Sequence, residues 1–148
     1  MQTYKMVKRD GITAALTNNG KILIVKRIKI PFISHPGRWS FVAGRRERKE
    51  RYLQAAYREI MEETKIQAGE LTLLNGDTRI TLKDGKSRSK WDNRFFIFRS
   101  ESRTVRLNIE NTTYKWVSFS QLCRNRDLNS MLCNKMQVFS LIRSCMRL

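Results

Sequence analysis

Five of the eight glutamates in this chain lie between Glu47 and Glu63, although the whole chain has a formal net charge of +17. On a helix, at about 100° per residue, Glu62 and Glu63 project on either side of Glu59, so three carboxylates share one face within about one turn. Side chains suited to packing against a sheet gather on the roughly opposite face. They are Leu53, Ala56, Tyr57, Ile60 and Thr64. The spacing predicts a helix over about Tyr52–Thr64 whose glutamates face outward and converge on one point.

Three carboxylates on one face destabilise a helix unless a cation offsets them. Like charges four residues apart cost about 0.2–0.5 kcal/mol per pair, and anions near a helix C-terminus cost about 0.3–1 kcal/mol. Arg58 and Lys65 can neutralise part of this charge. Oxygen donors without histidine or cysteine suit Mg²⁺ or Mn²⁺ bound together with waters and substrate phosphates. The alternative interpretation is a solvated acidic face that binds nothing.

The pattern around these glutamates is more specific than the helix alone. Its specified positions are Gly44, then Glu50 after five residues, and, after seven more, the run Arg58-Glu59-Ile60-x-Glu62-Glu63. The arrangement resembles the box of the Nudix (MutT-like) hydrolases, which act on nucleoside diphosphates linked to another group. Seven specified positions match by chance in well below about one chain in ten thousand of this length. The resemblance implies a metal-dependent pyrophosphohydrolase, most simply one that cleaves a (deoxy)nucleoside triphosphate to a monophosphate and pyrophosphate.

The resemblance also assigns roles within the box. It implies the metal ligands Glu59, Glu62 and Glu63, with the Gly44 carbonyl as a further ligand and Glu47 as an accessory one. It implies that Glu50 and Arg58 form a pair that orients the helix. The cofactor implied is Mg²⁺ or Mn²⁺, because divalent ions neutralise the phosphates and activate water for attack on a phosphoric anhydride.

Three residues outside the box are open to two readings each. Glu110 lies six residues before Trp116, where some nucleoside-triphosphate-cleaving relatives have an additional carboxylate. It could bind metal or act as a general base, or it could be an exposed loop residue. Arg27 resembles a phosphate-binding arginine of those relatives, and its alternative is an ordinary charge at a strand end. His35, the only histidine, is interpreted as a loop residue rather than a catalytic one.

The box departs from the family pattern at its two ends. Lys65 stands where the box ends in glycine, so the helix needs either a remodelled cap or a non-glycine residue in the left-handed conformation at about 1–2 kcal/mol. Val42-Ala43 replaces the usual Pro-Gly before Gly44. Neither change removes an expected metal ligand, so we expect them to alter loop shape and substrate fit.

Periodicity outside the box indicates strands on both sides of the helix. The predicted strands are Gly11–Leu16 and Lys21–Arg27, joined as a β-hairpin, followed by Trp39–Val42, Leu71–Leu74, Thr78–Leu82, Phe95–Arg99 and Tyr114–Val117. An amphipathic helix from Ser120 or Leu132 to Arg143 closes the chain, and Lys83–Lys90 is the most polar loop. We expect an α/β fold, an α/β/α sandwich with a mixed sheet, formed by one domain over residues 1–148.

The charge of +17 is not explained by the box. Thirty Lys and Arg residues attract polyanions through counterion release, so two hypotheses remain. The first is an enzyme for a small nucleotide. The second is an RNA-directed protein that removes a 5′ pyrophosphate or cap, or that binds nucleic acid without hydrolysing it. The absence of RRM, KH and zinc-finger patterns favours the first.

The cysteines and the apolar segments bear on location. The three cysteines, Cys123, Cys133 and Cys145, have no metal-type spacing and predict mostly buried thiols in a reducing compartment. The first ten residues contain no apolar signal core, and no segment approaches the roughly 18 apolar residues of a membrane span. We therefore expect a cytoplasmic protein without a membrane partner. The sequence leaves the oligomeric state open, a homodimer included.

Overall fold

The structure, a computed structural model, describes residues 10–31, 36–83 and 90–146. His35 and most of the predicted loop Lys83–Lys90 lie outside the described residues. No helix within the described ranges is long and apolar enough to span a membrane.

The described residues form seven strands and four α-helices. The strands are β1 (Asp10–Asn18), β2 (Lys21–Arg27), β3 (Trp39–Ser40), β4 (Val42–Arg45), β5 (Leu71–Lys83), β6 (Lys90–Ser100) and β7 (Asn111–Val117). The helices are α1 (Tyr52–Thr64), α2 (Phe119–Arg124), α3 (Arg126–Met131) and α4 (Lys135–Met146), and a 3-10 turn covers Ala68–Glu70. The predicted central helix has the same bounds as α1.

The strands form a mixed sheet in the order β3-β2-β1-β6-β5, with β4 paired to β1 and β7 paired to β2. The predicted hairpin of β1 and β2 is confirmed, and its turn uses Asn19 and Gly20 at φ 47° and 76°, as a tight hairpin turn requires. The two strands pair beside this turn and then diverge, β1 toward β4 and β2 toward β7. The parallel pairing of β1 with β6 makes the sheet mixed, as predicted.

Helices cover both faces of the sheet. Because successive strand residues point to opposite faces, β1 sends Ile12 to one side and Ala15 to the other. Ile12 packs in the cluster that contains Ile60 of α1, whereas Ala15 packs in the cluster that contains Ile142 of α4. The sheet is therefore the middle layer of an α/β/α sandwich, the architecture expected from the sequence.

Two strand predictions need correction. Leu71–Leu74 and Thr78–Leu82 are parts of one strand, β5, whose register against β6 shifts on both sides of Asn75. The turn-forming segment between them is absorbed as a β-bulge, with Asp77 at φ 57°, because an irregular strand can keep its ladder around extra residues. The predicted strand Trp39–Val42 is interrupted at Phe41, so that β3 pairs with β2 and β4 pairs with β1.

The final helix agrees with one of its two predicted starts. The start at Leu132 lies three residues before α4, whereas the start at Ser120 is wrong, because three separate helices cover that longer segment. Capping side chains separate them: Ser118 accepts from the Gln121 amide, and Asn125 accepts from the Leu128 amide at 3.2 Å. Asn134 does the same at the start of α4. Each cap satisfies amides at a helix start and so favours a new helix over continuation of the previous one.

Candidate active site

Helix α1 ends at a non-glycine residue in the left-handed conformation, one of the two expected ends. Lys65 adopts the left-handed conformation at φ 65° and ψ 11°, and its amide donates to the Met61 carbonyl at 3.0 Å. Its ammonium also donates to the Glu62 carbonyl at 3.2 Å, which places a positive charge at the helix C-terminus. The helix therefore keeps its expected end without glycine.

Arg58 and Glu50 make a bidentate ion pair at the start of the site. Nε of Arg58 donates to one carboxylate oxygen of Glu50 at 2.7 Å, and Nη2 of Arg58 donates to the other at 2.9 Å. The same nitrogen donates to the Arg45 carbonyl at 2.9 Å. The hydrogen bond from Arg58 lowers the pKa of Glu50, and Glu50 in turn raises the pKa of Arg58. The pair thus links α1 to both the end of β4 and the loop that precedes the helix.

The guanidinium of Arg58 also contacts other carboxylates of the box. Its second terminal nitrogen lies 2.8 Å from Glu59, 3.3 Å from Glu62 and 3.7 Å from Glu47. Glu62 is the outward-facing residue of the three predicted ligands, with half of its side chain exposed. Arg58 is therefore the internal counter-charge of the acidic face.

Glu59 lies directly against the backbone of β4. Its carboxylate occupies the space that a Cβ on Gly44 would fill, so only glycine is compatible with this contact. A Cβ on Gly11 would in turn come within 2.5 Å of the Gly44 carbonyl oxygen. Burial raises the pKa of Glu59 to about 6, against the opposing hydrogen bond from Arg58. Gly11 was not identified from the sequence, although a glycine within a strand is a known sign of close backbone approach.

Glu63 does not face outward, which corrects the prediction for this helix face. Its side chain is fully buried and its Oε1 accepts a hydrogen bond from Nδ2 of Asn111 at 3.0 Å. Its Oε2 is buried without a hydrogen-bond partner. Burial raises the pKa of Glu63 to about 8, and the Asn111 hydrogen bond opposes this shift. The carboxylate faces inward because the start of β7 covers that side of α1.

Arg27 and Glu110 lie close enough to act electrostatically on the buried carboxylates. Burial is the largest cause of the raised pKa of Glu63. It is followed by the Asn111 hydrogen bond, which lowers this pKa, and by the charge of Glu59, which raises it. Smaller effects come from Arg27, which lowers it, and from Glu110, which raises it. Glu110 is half-buried, and its carbonyl accepts from the Ile28 amide at 2.8 Å. The structure thus brings both residues to the edge of the carboxylate group, whereas direct contact with it comes from Asn111, which sequence reasoning did not identify.

The carboxylates do not converge on one point in this conformation. Among the described residues, no group of three or more His, Cys, Asp or Glu side chains is arranged so that it could hold a metal ion. The reason is local, because Arg58 engages Glu59 and Glu62 while Asn111 engages Glu63. The chemistry of the donors nevertheless fits a hard divalent cation, since they are all oxygens and Oε2 of Glu63 is buried with no partner.

A cavity of about 610 Å³ lies away from these carboxylates. Its lining includes Gly20 at one end of β2, whereas Arg27 of the candidate site ends the same strand. Arg99 is the charged residue of that lining. None of the α1 carboxylates lines this cavity, so it does not identify the candidate site.

The comparisons with known proteins agree with this geometry. A sequence profile of the NUDIX domain matches residues 7–132. Among solved structures, the MutT protein of Methanosarcina mazei Go1 has a TM-score of 0.68 and 18% identity, with 97% of each chain covered. An Ap4A hydrolase binary complex of C. elegans has a TM-score of 0.71 and 19% identity, over 95% of this chain and 98% of that chain. The dihydroneopterin triphosphate pyrophosphohydrolase of E. coli has a TM-score of 0.68 and 21% identity, over 95% and 97%. A search of curated proteins gives no significant match.

Proposed function

The chain belongs to the NUDIX family and is a hydrolase of phosphoric anhydride bonds in nucleoside diphosphates linked to another group, and we propose that its substrate is a (deoxy)nucleoside triphosphate. The products are a nucleoside monophosphate and pyrophosphate. The observation that carries the proposal is the face of α1, where Glu59 lies against Gly44 and Glu63 is buried beside Asn111. The E. coli neighbour is a dihydroneopterin triphosphate pyrophosphohydrolase, which is consistent with a triphosphate substrate.

The α1 carboxylates are proposed to hold Mg²⁺ or Mn²⁺. Glu59, Glu62 and Glu63 are the proposed ligands, with the Gly44 carbonyl as a further donor and Glu47 as an accessory one. Such an ion, when bound, neutralises phosphate charge and activates water. Burial raises the pKa values of Glu59 and Glu63 in the metal-free protein, and the hydrogen bonds from Arg58 and Asn111 offset this only in part, so the charged forms lack full compensation. A cation would supply it, and this need supports the assignment.

The other residues are proposed to bind and orient the substrate around this cluster. Arg58, tied to Glu50, keeps α1 in place against the end of β4. Arg27 binds a phosphate of the substrate through its guanidinium. Glu110 either accepts a proton from the attacking water or supplies another carboxylate to the cation.

The direct test is a panel of nucleotides incubated with Mg²⁺ or Mn²⁺, with the products separated to identify which phosphate is released. We expect pyrophosphate and a monophosphate from triphosphates. Glu62→Gln should lower turnover by several orders of magnitude, because it removes a ligand charge from a half-exposed side chain and no core volume. Glu101→Gln, at an exposed position after β6, is the matched control and should leave turnover unchanged. Orthophosphate release, or normal turnover by Glu62→Gln, would contradict the proposal.

A second candidate function is hydrolysis at RNA 5′ ends. The observation in its favour is the loop between β4 and α1, which places several exposed basic residues beside the acidic face. They are Arg48, Lys49 and Arg51, next to the exposed Arg45 at the end of β4. Triphosphorylated RNA therefore belongs in the same panel, where preference for it over mononucleotides would reverse the order of the two candidates.

Two further expectations belong to this proposal. We expect residues 1–148 to form one domain, because α4 lies beyond the matched residues 7–132 and still buries Val138 and Ile142 in the core. We also expect a reducing compartment such as the cytoplasm, since all three cysteines are unpaired. The prediction of mostly buried thiols is wrong, because Cys133 is exposed and the other two cysteines are half-buried.

A further inference from the structure

Asn111 is the partner of Glu63, and neither residue is near the other in sequence. Asn111 is the first residue of β7 and its side chain is buried, with 5% of the residue exposed. Its Nδ2 donates to Oε1 of Glu63 at 3.0 Å across 48 positions of sequence. The opposite orientation of the amide would set Oδ1 against a carboxylate oxygen, so the hydrogen bond itself determines the orientation.

The sheet holds Asn111 in place from the side opposite α1. Asn111 pairs with Arg27 where the register between β2 and β7 shifts. The Ile28 amide donates to the carbonyl of Glu110 at 2.8 Å, which ties the strand start to the end of β2. Irregularities of this kind redirect side chains next to functional sites. The amide of Asn111 is therefore presented to Glu63 by the sheet.

The hydrogen bond leaves the carboxylate of Glu63 only half satisfied. Among the described residues, Oε2 of Glu63 is buried and has no hydrogen-bond partner. A buried acceptor without a partner is unfavourable, and more so when it is charged. A contact that served only to join α1 to β7 would gain nothing from leaving this oxygen unmatched.

The choice of an amide at position 111 has a specific consequence for charge. A lysine or arginine there would neutralise Glu63 and compete with a cation, and an aspartate would repel it. An apolar side chain would leave both oxygens without a donor. Asparagine fixes one oxygen and adds no charge, so the negative charge remains available at the other oxygen. Glu59 and Glu62 differ from Glu63 in this respect, because both form ion pairs with Arg58.

We propose that Asn111 is a positioning residue of the cation site, which holds Glu63 through Oε1 so that Oε2 serves the divalent ion. This inference rests on the proposed function, because it requires the α1 carboxylates to bind a cation. Residues that orient metal ligands in this way typically change metal affinity or activity by about 10–100-fold when they are replaced.

The test is direct Mn²⁺ binding to the full chain without nucleotide, followed by the loss of the electron paramagnetic resonance signal of free Mn²⁺. Asn111→Leu, which matches the size of the side chain and removes the donor, should raise the Mn²⁺ dissociation constant by about 10–100-fold. Asn111→Ser, which shortens the side chain without adding bulk, should change it in the same direction and guards against a leucine variant that does not fold.

Asn18→Leu is the matched control. Asn18 also donates one hydrogen bond through Nδ2, to the Ser100 carbonyl at 2.9 Å, and also has a buried Oδ1 without a partner. Asn18 is the last residue of β1, and the partner of its amide is a backbone carbonyl rather than a carboxylate. Asn18→Leu should lower the melting temperature and leave Mn²⁺ affinity unchanged.

The outcomes separate this inference from the proposed function. If wild type and Asn18→Leu bind Mn²⁺ and both Asn111 variants are folded and bind it equally well, the positioning role is overturned and the cation site stands. If wild type binds no Mn²⁺, or if Glu63→Gln binds it as tightly as wild type, the cation site and the positioning role both fail. Loss of Mn²⁺ affinity in the Asn111 variants without nucleotide hydrolysis by wild type would support the inference and contradict the proposed substrate.

Discussion

Buried carboxylates on α1 are held by two kinds of partner. Glu59 contacts the guanidinium of Arg58 at 2.8 Å, whereas Glu63 accepts from the neutral amide of Asn111 at 3.0 Å. A charged partner compensates a carboxylate without any bound ion. A neutral partner orients it without supplying an opposite charge, so Glu63 is the residue whose protonation should respond most to the presence of a cation.

The first prediction concerns the pH dependence of stability without metal. Burial raises the pKa of Glu63 from 4.5 to about 8, so the folded state binds the proton more tightly than the unfolded chain between those values. The stabilising contribution is complete below the unfolded pKa and is lost as pH rises through the folded pKa. In EDTA, the free energy of unfolding of wild type should therefore fall between about pH 5 and pH 8.

Glu63→Gln removes this titration and keeps an oxygen for Asn111. Its melting temperature in EDTA at pH 8 should exceed that of wild type by several degrees, since about 1 kcal/mol shifts the melting temperature of a domain of this size by about 2–4 °C. Glu62→Gln is the control, because half of the Glu62 side chain is exposed. A wild-type stability that rises with pH over this interval would contradict the assignment of Glu63 as a buried carboxylate whose hydrogen-bond partner is a neutral amide.

The second prediction uses Gly44, where a methyl group has no room. Gly44→Ala would place Cβ in the space of the Glu59 carboxylate. We expect a loss of about 1–3 kcal/mol in the free energy of unfolding, as in other overpacked sites, together with a loss of hydrolysis. Gly69→Ala is the matched control, since a Cβ there meets nothing within 4 Å. Equal melting temperatures for the two variants, and equal free energies of unfolding by denaturant, would show that Glu59 does not lie against β4.

Helix α1 is attached to the sheet through its polar face as well as its apolar one. Ala56 and Ile60 pack into the core, and on the other side Arg58 reaches Glu50 and the carbonyl of Arg45. A bidentate guanidinium fixes both distance and orientation, which a single point charge does not. Arg58 therefore fixes the position and rotation of the helix together with the apolar packing.

The third prediction is that Arg58→Ala lowers both hydrolysis and thermal stability. Removing one partner of a fully buried pair costs about 3–5 kcal/mol, and partial exposure of Arg58 and Glu50 should bring the loss below that range. Arg58→Lys keeps the charge and loses the bidentate contact, so its melting temperature should fall between those of wild type and alanine. If the alanine variant melts like wild type and loses only activity, Arg58 acts on the substrate instead.

Elements with a strong local pattern were predictable from the sequence, and contacts between distant segments were not. The bounds of α1 follow from its amphipathic spacing, and the hairpin follows from Asn19-Gly20. The burial of Glu63 depends on β7, which begins 48 positions later, and no periodicity within α1 encodes that contact. The division of the last helix also escaped prediction, because apolar periodicity continues across the capping residue Asn125.

The same limit applies to the candidate site as a set. The box identifies which residues gather on α1, since their spacing is local. Which carboxylate is engaged by Arg58 and which by Asn111 depends on how β4 and β7 pack against the helix. The relation of Arg27 to this group depends on the pairing of β2 with β7. Tertiary packing therefore decides which partner each carboxylate has, whereas the local sequence pattern identifies only which residues gather on the helix.

The positive charge of the protein is distributed over many elements rather than concentrated in one segment. On one side of the acidic face, the loop between β4 and α1 exposes Arg48 and Lys49. On the other, Lys65 ends the helix and the amide of Arg106 donates to the Thr64 carbonyl at 2.9 Å. Both groups of charges can attract a nucleotide, and a longer polyanion would contact more of them.

The last prediction separates a nucleotide substrate from an RNA substrate by salt. If RNA is the substrate, Lys and Arg neutralise several phosphates beyond the scissile one, and the logarithm of affinity falls by about 0.7 per phosphate with the logarithm of salt concentration. A nucleotide has only its own phosphates to lose. We expect the shallow dependence, with mononucleotides hydrolysed at least as efficiently as triphosphorylated RNA when KM and kcat are measured across a salt series.

A double variant of the basic loop, Arg48→Gln with Lys49→Gln, sharpens this comparison. Both residues are exposed, so the variant should fold normally and hydrolyse mononucleotides as wild type does. For an RNA substrate, loss of each phosphate contact should reduce the salt slope by about 1 or somewhat less. A steep wild-type slope that decreases in the double variant, together with preference for RNA ends, would make the charge of +17 part of the substrate site and replace the nucleotide as the preferred substrate.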